Sequence, residues 1–245
     1  MTGYIENPKT RGSGIICCIP QAERCPMECE ECFFQSGRSY LEPLGKNLPN
    51  MPTLEEVGHR VVRVNDGGDS GIRFHQVIRD TKKYPLKFYN TSIPQVLDEF
   101  PAPVVLTVNP GERTDKHFYR VETEENLKKL MFVRARVNTW NGPLVDKIVE
   151  WYSAKKIPIV LTFMAYYKQP IPELYQRNYI YRIRTSNPYW AITTETWDLI
   201  MRLYAHNKWV HSCGKIEGEE GTTLCRFCGN CLREFYATME RMKGD

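Results

Sequence analysis

Three cysteines stand close together near the start of the chain, in the pattern Cys25-x3-Cys29-x2-Cys32. Thiolates at this spacing can bind three irons of one 4Fe–4S cubane and leave the fourth iron open. A cluster that only carries electrons normally has cysteine at all four irons, so an open iron indicates chemistry. The triplet therefore predicts a metal centre that binds a further ligand.

A second group of cysteines lies near the other end of the sequence, in the pattern Cys213-x11-Cys225-x2-Cys228-x2-Cys231. Its tight Cys-x2-Cys-x2-Cys run resembles that of ferredoxins, where such spacing wraps one cubane, and Cys213 would complete the ligand set. The group predicts an auxiliary 4Fe–4S cluster. The alternative is a structural zinc on the same thiolates, although zinc usually prefers two separated Cys-x2-Cys pairs.

Length and composition indicate one large globular domain. A chain of 245 residues suits a single α/β barrel, and 42% hydrophobic residues support a sizeable core. The net charge of +4 is too small to indicate a nucleic-acid partner. Nine cysteines in two clusters argue against a secreted disulfide framework, and we see no signal peptide or membrane-spanning stretch. We expect a cytoplasmic protein with no membrane partner, whose reduced cysteines bind metal.

Apolar runs predict six buried strands, and each but the last is followed by a helix signal. The strands are expected at 14–20, 60–65, 86–91, 103–109, 131–138 and 157–163. Helices are expected near Val57, where Thr53–Glu56 forms a capping box, and at 71–83, 92–100, 122–130, from 143 onwards and at 194–206. The repeated βα order predicts an α/β fold with a parallel sheet, curved into a partial (βα)6 TIM-like barrel.

This order divides the chain into three parts. We expect a flexible N-terminus at 1–14, the partial barrel at 15–208 and a cysteine-rich, metal-binding extension at 209–245. Residues 164–190 are rich in aromatic and basic side chains and are predicted to form a long loop. That loop is interpreted either as a substrate lid or as a solvated segment partly packed on the barrel.

Several polar residues follow the predicted strands, at the edge where parallel α/β folds place their chemistry. Asp66-Gly67-Gly68-Asp69 comes after the second strand; it is an ordinary turn sequence, but its position favours a binding role. Arg134 and Arg136 share one face of the fifth strand; inside a barrel they need an anionic partner, whereas outside they would be solvated. Cys17 and Cys18, on the first strand, are predicted to be core residues.

The cysteine triplet after the first strand of a partial barrel resembles the signature of the radical S-adenosylmethionine (radical SAM) superfamily. The resemblance implies that Cys25, Cys29 and Cys32 hold a 4Fe–4S cluster whose open iron is chelated by the amine and carboxylate of S-adenosylmethionine (SAM). In that family an electron from the cluster cleaves SAM to methionine and a 5′-deoxyadenosyl radical, which abstracts hydrogen from the substrate. The family's electron donor is typically a flavodoxin or ferredoxin.

The same resemblance assigns the polar residues around SAM. Asp66, Gly67, Gly68 and Asp69 are similar to the family's Gly-Gly-Glu motif, which binds the methionyl amine, with Asp69 in the place of the usual glutamate. Glu31 stands where the family often has an aromatic residue. The remaining cofactor contacts implied are the ribose, adenine and carboxylate contacts of Thr107, Asn109, Arg134, Arg136, Asn138, Phe163, Met164 and Ala165.

The substrate stays open at this stage. Peptide modification, modification of a nucleotide or nucleic acid, and activation of a glycyl-radical enzyme are all compatible with the resemblance. A hypothesis from another class is a non-catalytic zinc-knuckle protein that binds a protein or nucleic acid. It requires a fourth N-terminal ligand, such as Cys17 or Cys18, and leaves Gly67-Gly68 without a role.

Overall fold

The computed structural model describes residues 3–27, 29, 32, 34, 39–109, 119–167, 170–183, 188–213 and 225–244, without the side chain of Arg226. Within these ranges it contains ten strands and seven α-helices. The strands are β1 (Ile15–Cys18), β2 (Val61–Val64), β3 (Lys87–Thr91), β4 (Val104–Val108), β5 (Leu130–Val137), β6 (Ile159–Phe163), β7 (Ala165–Tyr166), β8 (Tyr179–Arg182), β9 (Tyr189–Ile192) and β10 (Val210–Ser212). The helices are α1 (Leu54–Val57), α2 (Phe74–Thr81), α3 (Glu124–Lys129), α4 (Gly142–Ala154), α5 (Thr194–Leu203), α6 (Cys225–Cys228) and α7 (Asn230–Lys243).

The main sheet is a curled half-barrel of seven parallel strands in the order β1-β2-β3-β4-β5-β6-β10. Neighbours in the sheet are therefore neighbours in the chain until β6, as the repeated βα order predicts. The α/β class, the parallel sheet and all six expected strands are confirmed. The seventh strand was not predicted; it pairs with β6 from Val210 to Ser212 and is too short to show a period in the sequence.

Each strand of the half-barrel has two different faces, because successive side chains point to opposite sides of the sheet. On β2, Val62 and Val64 belong to the core under the helices, together with Val77 of α2 and Tyr152 of α4. Val61 and Arg63 point the other way, into the concave side. The apolar residues of the convex face thus hold the helices, while the concave face is left to line an interior.

The helices agree with the sequence prediction in most places. The capping box at Thr53 is present, with its hydroxyl accepting from the Glu56 N–H and the Glu56 carboxylate accepting from the Thr53 N–H. The helix expected at 92–100 is wrong. Only a short 3-10 turn forms, at Pro94–Val96, because the Ser92 hydroxyl donates to Asp69 and does not cap a helix. No described helix is long and apolar enough to cross a membrane.

The expectation of a long loop at 164–190 is also wrong. The described part of this segment forms a second, antiparallel sheet in the order β7-β9-β8, with a 3-10 helix at Glu173–Asn178. Tyr166, Tyr179 and Trp190 pack in one hydrophobic cluster beneath it. Aromatic residues between basic ones suit short, half-buried strands, but such strands depend on their partners and give little periodic signal.

The two ends of the chain lie against the half-barrel. Between residues 3 and 14, which the sequence suggested would be loosely draped, Asn7 and Thr10 are buried, and the Tyr4 hydroxyl donates to the Cys17 carbonyl. At the other end, α7 places Phe235 against the concave residues of β1–β6. The expected boundary at 208 falls just before β10, so the half-barrel continues into the C-terminal part.

Candidate functional site

The carboxyl ends of the strands open into a cavity of about 1080 Å³. Both cysteine groups line this cavity, which the spacing alone did not predict. The lining includes Cys25, Cys29, Cys32, Asp66, Gly67, Gly68, Asp69, Thr107, Asn109, Arg134, Arg136, Phe163, Met164, Ala165, Cys213, Cys225, Cys228 and Cys231. Residues that are far apart in the sequence are thus gathered at one edge of the sheet.

The cysteine triplet lies against the turn that follows β2. The Cys32 N–H donates to the Cys29 carbonyl at 3.0 Å, which joins these two cysteines through the backbone. Burial raises the pKa of the Cys25 thiol, against the opposing effect of hydrogen bonds from the backbone N–H groups of Met27 and Asp69. The contact with Asp69 joins the triplet to the Asp66–Asp69 turn.

The cysteines suit a metal by their chemistry more than by their present positions. Soft thiolate ligands select iron–sulfur clusters, zinc or copper(I), and Cys25, Cys29 and Cys32 all face the same cavity. Among the described residues, no three His, Cys, Asp or Glu side chains converge closely enough to hold a metal ion. The thiol side chains thus suit a soft metal by type, but those of the described residues do not converge on one point in this structure.

Gly67 is required where the turn meets Phe34. A Cβ atom at Gly67 would lie 2.0 Å from the Phe34 ring, so no larger residue fits beside this aromatic side chain. Phe34 is buried. Glu31, which stands where an aromatic residue is often found in the family that the triplet resembles, lies outside the described residues, as does Phe33. The close packing at Gly67 gives the Gly-Gly sequence a steric reason beyond an ordinary turn.

The carboxylate of Asp69 holds the turn in place. One oxygen accepts from the Gly71 N–H at 2.8 Å and the Thr91 hydroxyl at 2.7 Å. The other accepts from the N–H of Ser92 at 2.7 Å and its hydroxyl at 2.6 Å. Four hydrogen bonds satisfy the carboxylate, so Asp69 ties the end of β2 to the end of β3. The Asp69 carbonyl in turn accepts from Gln21 Nε2 at 3.3 Å.

Asp66, the first residue of the turn, is held by a buried ion pair. Its carboxylate lies 2.5 Å from Arg63 and accepts a hydrogen bond from Asn7. Burial alone would raise the pKa of Asp66, but Arg63 and Asn7 outweigh it and hold that pKa below its usual range. Asp66 is therefore ionised in the fold.

Arg134 and Arg136 lie on the concave side of the sheet, which is the inner of the two locations considered from the sequence. Arg134 donates through Nη1 to Asn90 Oδ1 at 3.2 Å and to Thr107 Oγ1 at 3.4 Å. The carboxylate that interacts with it is that of Asp66, and Arg134 contributes to holding the pKa of Asp66 below its usual range. Thr107 lies opposite Arg134 in the sheet register, so the two side chains share one level of the cavity.

Asn138 differs from the other predicted residues because it is not among those that line the cavity. Its side chain donates to the Tyr166 hydroxyl at 3.0 Å and accepts from the Trp140 N–H at 3.0 Å. It is buried, and these contacts join the end of β5 to the antiparallel sheet. The structure thus gives Asn138 a connecting role.

The C-terminal cysteines reach the cavity from two directions. Cys213 follows β10, and its N–H donates to the Leu161 carbonyl of β6 at 2.8 Å. Cys225 begins α6, where its N–H donates to the Lys9 carbonyl at 3.1 Å, and Cys231 lies in the first turn of α7. Burial raises the pKa of Cys231 to about 12, although Arg63 and Arg134 act in the opposite direction. Residues 214–224 lie outside the described part of the chain.

Sequence reasoning missed several residues that line the cavity, among them Arg63 and Asn90. Arg63 is buried on β2 and lines the cavity, and Asn90 on β3 accepts from Arg134. Arg63 did carry a signal, since it is the charged residue within the apolar run Val61–Val64 of a strand predicted to be buried. Asn90 carried none, because an asparagine near a strand end is common in turns.

Both predicted core cysteines are buried, but they face different sides of β1. Cys18 belongs to the core beneath the helices, whereas Cys17 lies 3.3 Å from Arg63 Nη2 on the concave side.

Comparison with protein-family models, curated proteins and solved structures found no significant match. The function must therefore be argued from the cavity itself.

Proposed function

We propose that this protein is a radical SAM enzyme. The observation that carries the proposal is the cavity at the carboxyl ends of a parallel half-barrel, which brings Cys25, Cys29 and Cys32 beside the Asp66–Asp69 turn. The spacing of the three thiolates suits a 4Fe–4S cluster with one open iron. A glycine turn next to them offers backbone carbonyls to a cationic ligand.

Cys25, Cys29 and Cys32 would hold this cluster, and Cys213, Cys225, Cys228 and Cys231 an auxiliary 4Fe–4S cluster, with zinc as the alternative there. The first cluster would supply the electron for reductive cleavage of SAM, and thereby a radical able to abstract hydrogen. A flavodoxin- or ferredoxin-type donor would provide that electron. The residues of the chain bind, orient and shield the reactants.

The Asp66–Asp69 turn would bind the methionyl amine of SAM. Because the Asp69 carboxylate is already satisfied by Gly71, Thr91 and Ser92, the backbone carbonyls of the turn are the better acceptors for the ammonium. This use of Asp69 also explains why a shorter acid than glutamate suffices there. Asp69 would then act as a brace for the turn, and the ionised Asp66 would add negative charge beside it.

The concave arginines would meet the carboxylate of SAM. Arg134 is oriented by Asn90 and Thr107 through one nitrogen, so its remaining donors are available to an anion. Arg136 lies two residues nearer the carboxyl end of β5, about 7 Å further along the strand. Thr107 and Asn109 would contact the ribose, and the segment Phe163–Ala165 would contact the adenine.

The antiparallel sheet would cover the reactants. Tyr167 and Tyr189 line the cavity and stack with ring centroids 5.4 Å apart. Aromatic walls exclude water, which protects a radical from side reactions. The substrate would enter beneath this cover, and a peptide and a nucleotide are equally compatible with the cavity.

The test is anaerobic reconstitution, followed by an iron and sulfide count and by reduction with dithionite in the presence of SAM. We expect 5′-deoxyadenosine, with about eight irons per chain for two clusters or about four if the C-terminal group holds zinc. Cys29→Ala should abolish 5′-deoxyadenosine formation. Cys18→Ala is the matched control, because Cys18 lies outside the cavity and should keep the activity. Zinc alone with intact SAM would instead support the zinc-knuckle protein.

A further inference from the structure

Arg63 lies between the Asp66–Asp69 turn and the C-terminal cysteine group. Its Nη2 atom is 2.5 Å from Asp66 Oδ1 and 3.3 Å from Cys17 Sγ, and its Nη1 atom is 3.9 Å from Cys225 Sγ. The Nη2 edge of the guanidinium thus faces the turn proposed to bind SAM, and the Nη1 edge faces Cys225, a proposed ligand of the C-terminal centre. Arg63 is 8% exposed, so these neighbours and not water surround it.

The planar shape of the guanidinium makes this arrangement directional. The ion pair with Asp66 fixes one edge, and since the group is rigid, its second edge is aimed at Cys225. A lysine has the same charge but only one nitrogen, so it cannot serve both sides at once. The contact therefore depends on arginine itself.

Charge complementarity supports the same arrangement. Four thiolates around a zinc ion or an oxidised 4Fe–4S cluster carry a net charge of about −2. The Arg63 guanidinium lies 3.9 Å from one of these sulfur atoms, Cys225 Sγ. The buried cation is thus placed where a thiolate-bound centre has its negative charge.

We infer that Arg63 is a positioning residue that couples the C-terminal metal centre to the SAM-binding turn, by holding Asp66 with one edge and donating to the Cys225 sulfur with the other. The inference rests on the proposed function. A positive charge and an N–H···S hydrogen bond favour the reduced, more negative form of a cluster, so Arg63 would raise the reduction potential of a 4Fe–4S cluster at the C-terminal cysteines. Because coupling is reciprocal, the state of that centre also changes the affinity for SAM.

The experiment compares wild type with Arg63→Gln and Arg63→Lys after anaerobic reconstitution. The midpoint potential of the C-terminal cluster is followed by EPR in a Cys29→Ala background, where it is the remaining cluster, and SAM affinity is measured with Cys29 intact. Arg63→Gln should shift the potential to a more negative value and weaken SAM binding roughly 10-fold. Arg63→Lys should have a midpoint potential closer to that of wild type, because lysine keeps the positive charge. It should still weaken SAM binding, because lysine has no second nitrogen to hold Asp66 and Cys225 at the same time.

Arg60→Gln is the control. Arg60 lies three residues earlier, pairs with Glu6 and is not among the residues that line the cavity, so its replacement should change neither quantity. If Arg63→Gln does not fold, Arg63→Lys decides, and SAM binding equal to wild type overturns the inference. If wild type assembles iron and cleaves SAM but the potential is unchanged in Arg63→Gln, the inference alone is wrong. If wild type assembles no cluster, the proposed function fails first.

Discussion

At the scale of single residues, the Asp66–Asp69 turn depends on a glycine that admits an aromatic ring and on a carboxylate that is bound within the protein. Gly67 admits the Phe34 ring, and the Asp69 carboxylate is used up by hydrogen bonds within the protein. The sequence predicted that this turn has a binding role but not how its residues share the task. Hydrogen bonds from Thr91 and Ser92 come from another strand, so the sequence near the turn holds no trace of them.

Gly67→Ala tests the steric role of the turn. The added methyl would meet the Phe34 ring at 2.0 Å, so the ring or the turn must shift. We expect a loss of about 1–3 kcal/mol in the free energy of unfolding, as for other overpacked sites, together with weaker SAM binding. Urea unfolding and SAM titration measure the two effects.

Two further variants give that test its controls. Gly45→Ala adds a methyl group where nothing lies within 4 Å, and should stay within about 0.5 kcal/mol of wild type. Combining Gly67→Ala with Phe34→Ala should recover part of the lost SAM affinity, because the ring that causes the clash is gone. Unchanged SAM binding in the single variant would show that the turn does not contact SAM.

At the scale of elements, the sequence predicted the half-barrel well and the cover poorly. Strands such as β4 were found because Pro103 and Pro110 bracket a continuous apolar run, which marks a strand buried on both faces. The antiparallel strands β8 and β9 were missed because short strands of this kind depend on distant partners: Tyr179 of β8, for example, packs against Trp140 and Tyr166. The local sequence pattern therefore predicts strands that are buried on both faces, but it does not predict strands whose formation depends on distant packing partners.

The helices on the convex face are joined by hydrogen bonds as well as by apolar contact. The Tyr204 hydroxyl, just after α5, donates to Asp146 Oδ1 of α4 at 2.6 Å. Burial, then the hydrogen bond and charge of Asp146, raise the pKa of Tyr204 above its ordinary value of 10.0. Neither Tyr204 nor Asp146 is among the residues that line the cavity, so this pair reports on the scaffold.

Tyr204→Phe should therefore lower the free energy of unfolding by about 1.5–3 kcal/mol at neutral pH, the usual cost of a hydrogen bond to a charged group. Above about pH 10 the unfolded state loses the tyrosine proton while the folded state keeps it, so wild-type stability falls as pH rises. The variant lacks this term and should decline less between pH 10 and 11. Urea unfolding across that range measures it, with the exposed Tyr236→Phe as the control. Parallel curves for Tyr204→Phe and wild type would contradict the assignment.

At the scale of the whole molecule, the two cysteine groups belong to one site. The triplet comes after β1, Cys213 comes after β10 at the opposite edge of the sheet, and the curvature of the half-barrel lets both face the same interior. The packing of α7 on the concave face brings Cys231 there as well. The two motifs could only be predicted separately, because the distance between them is decided by the curvature of the sheet and the docking of the C-terminal helix.

The most direct test of this account is the EPR spectrum of the reconstituted, dithionite-reduced protein before and after SAM is added. The account predicts a reduced-cluster signal whose g values change when SAM is added, because SAM binds the open iron held by Cys25, Cys29 and Cys32. In Cys29→Ala the remaining signal should no longer respond in this way. A wild-type spectrum that SAM leaves unchanged would contradict the central claim.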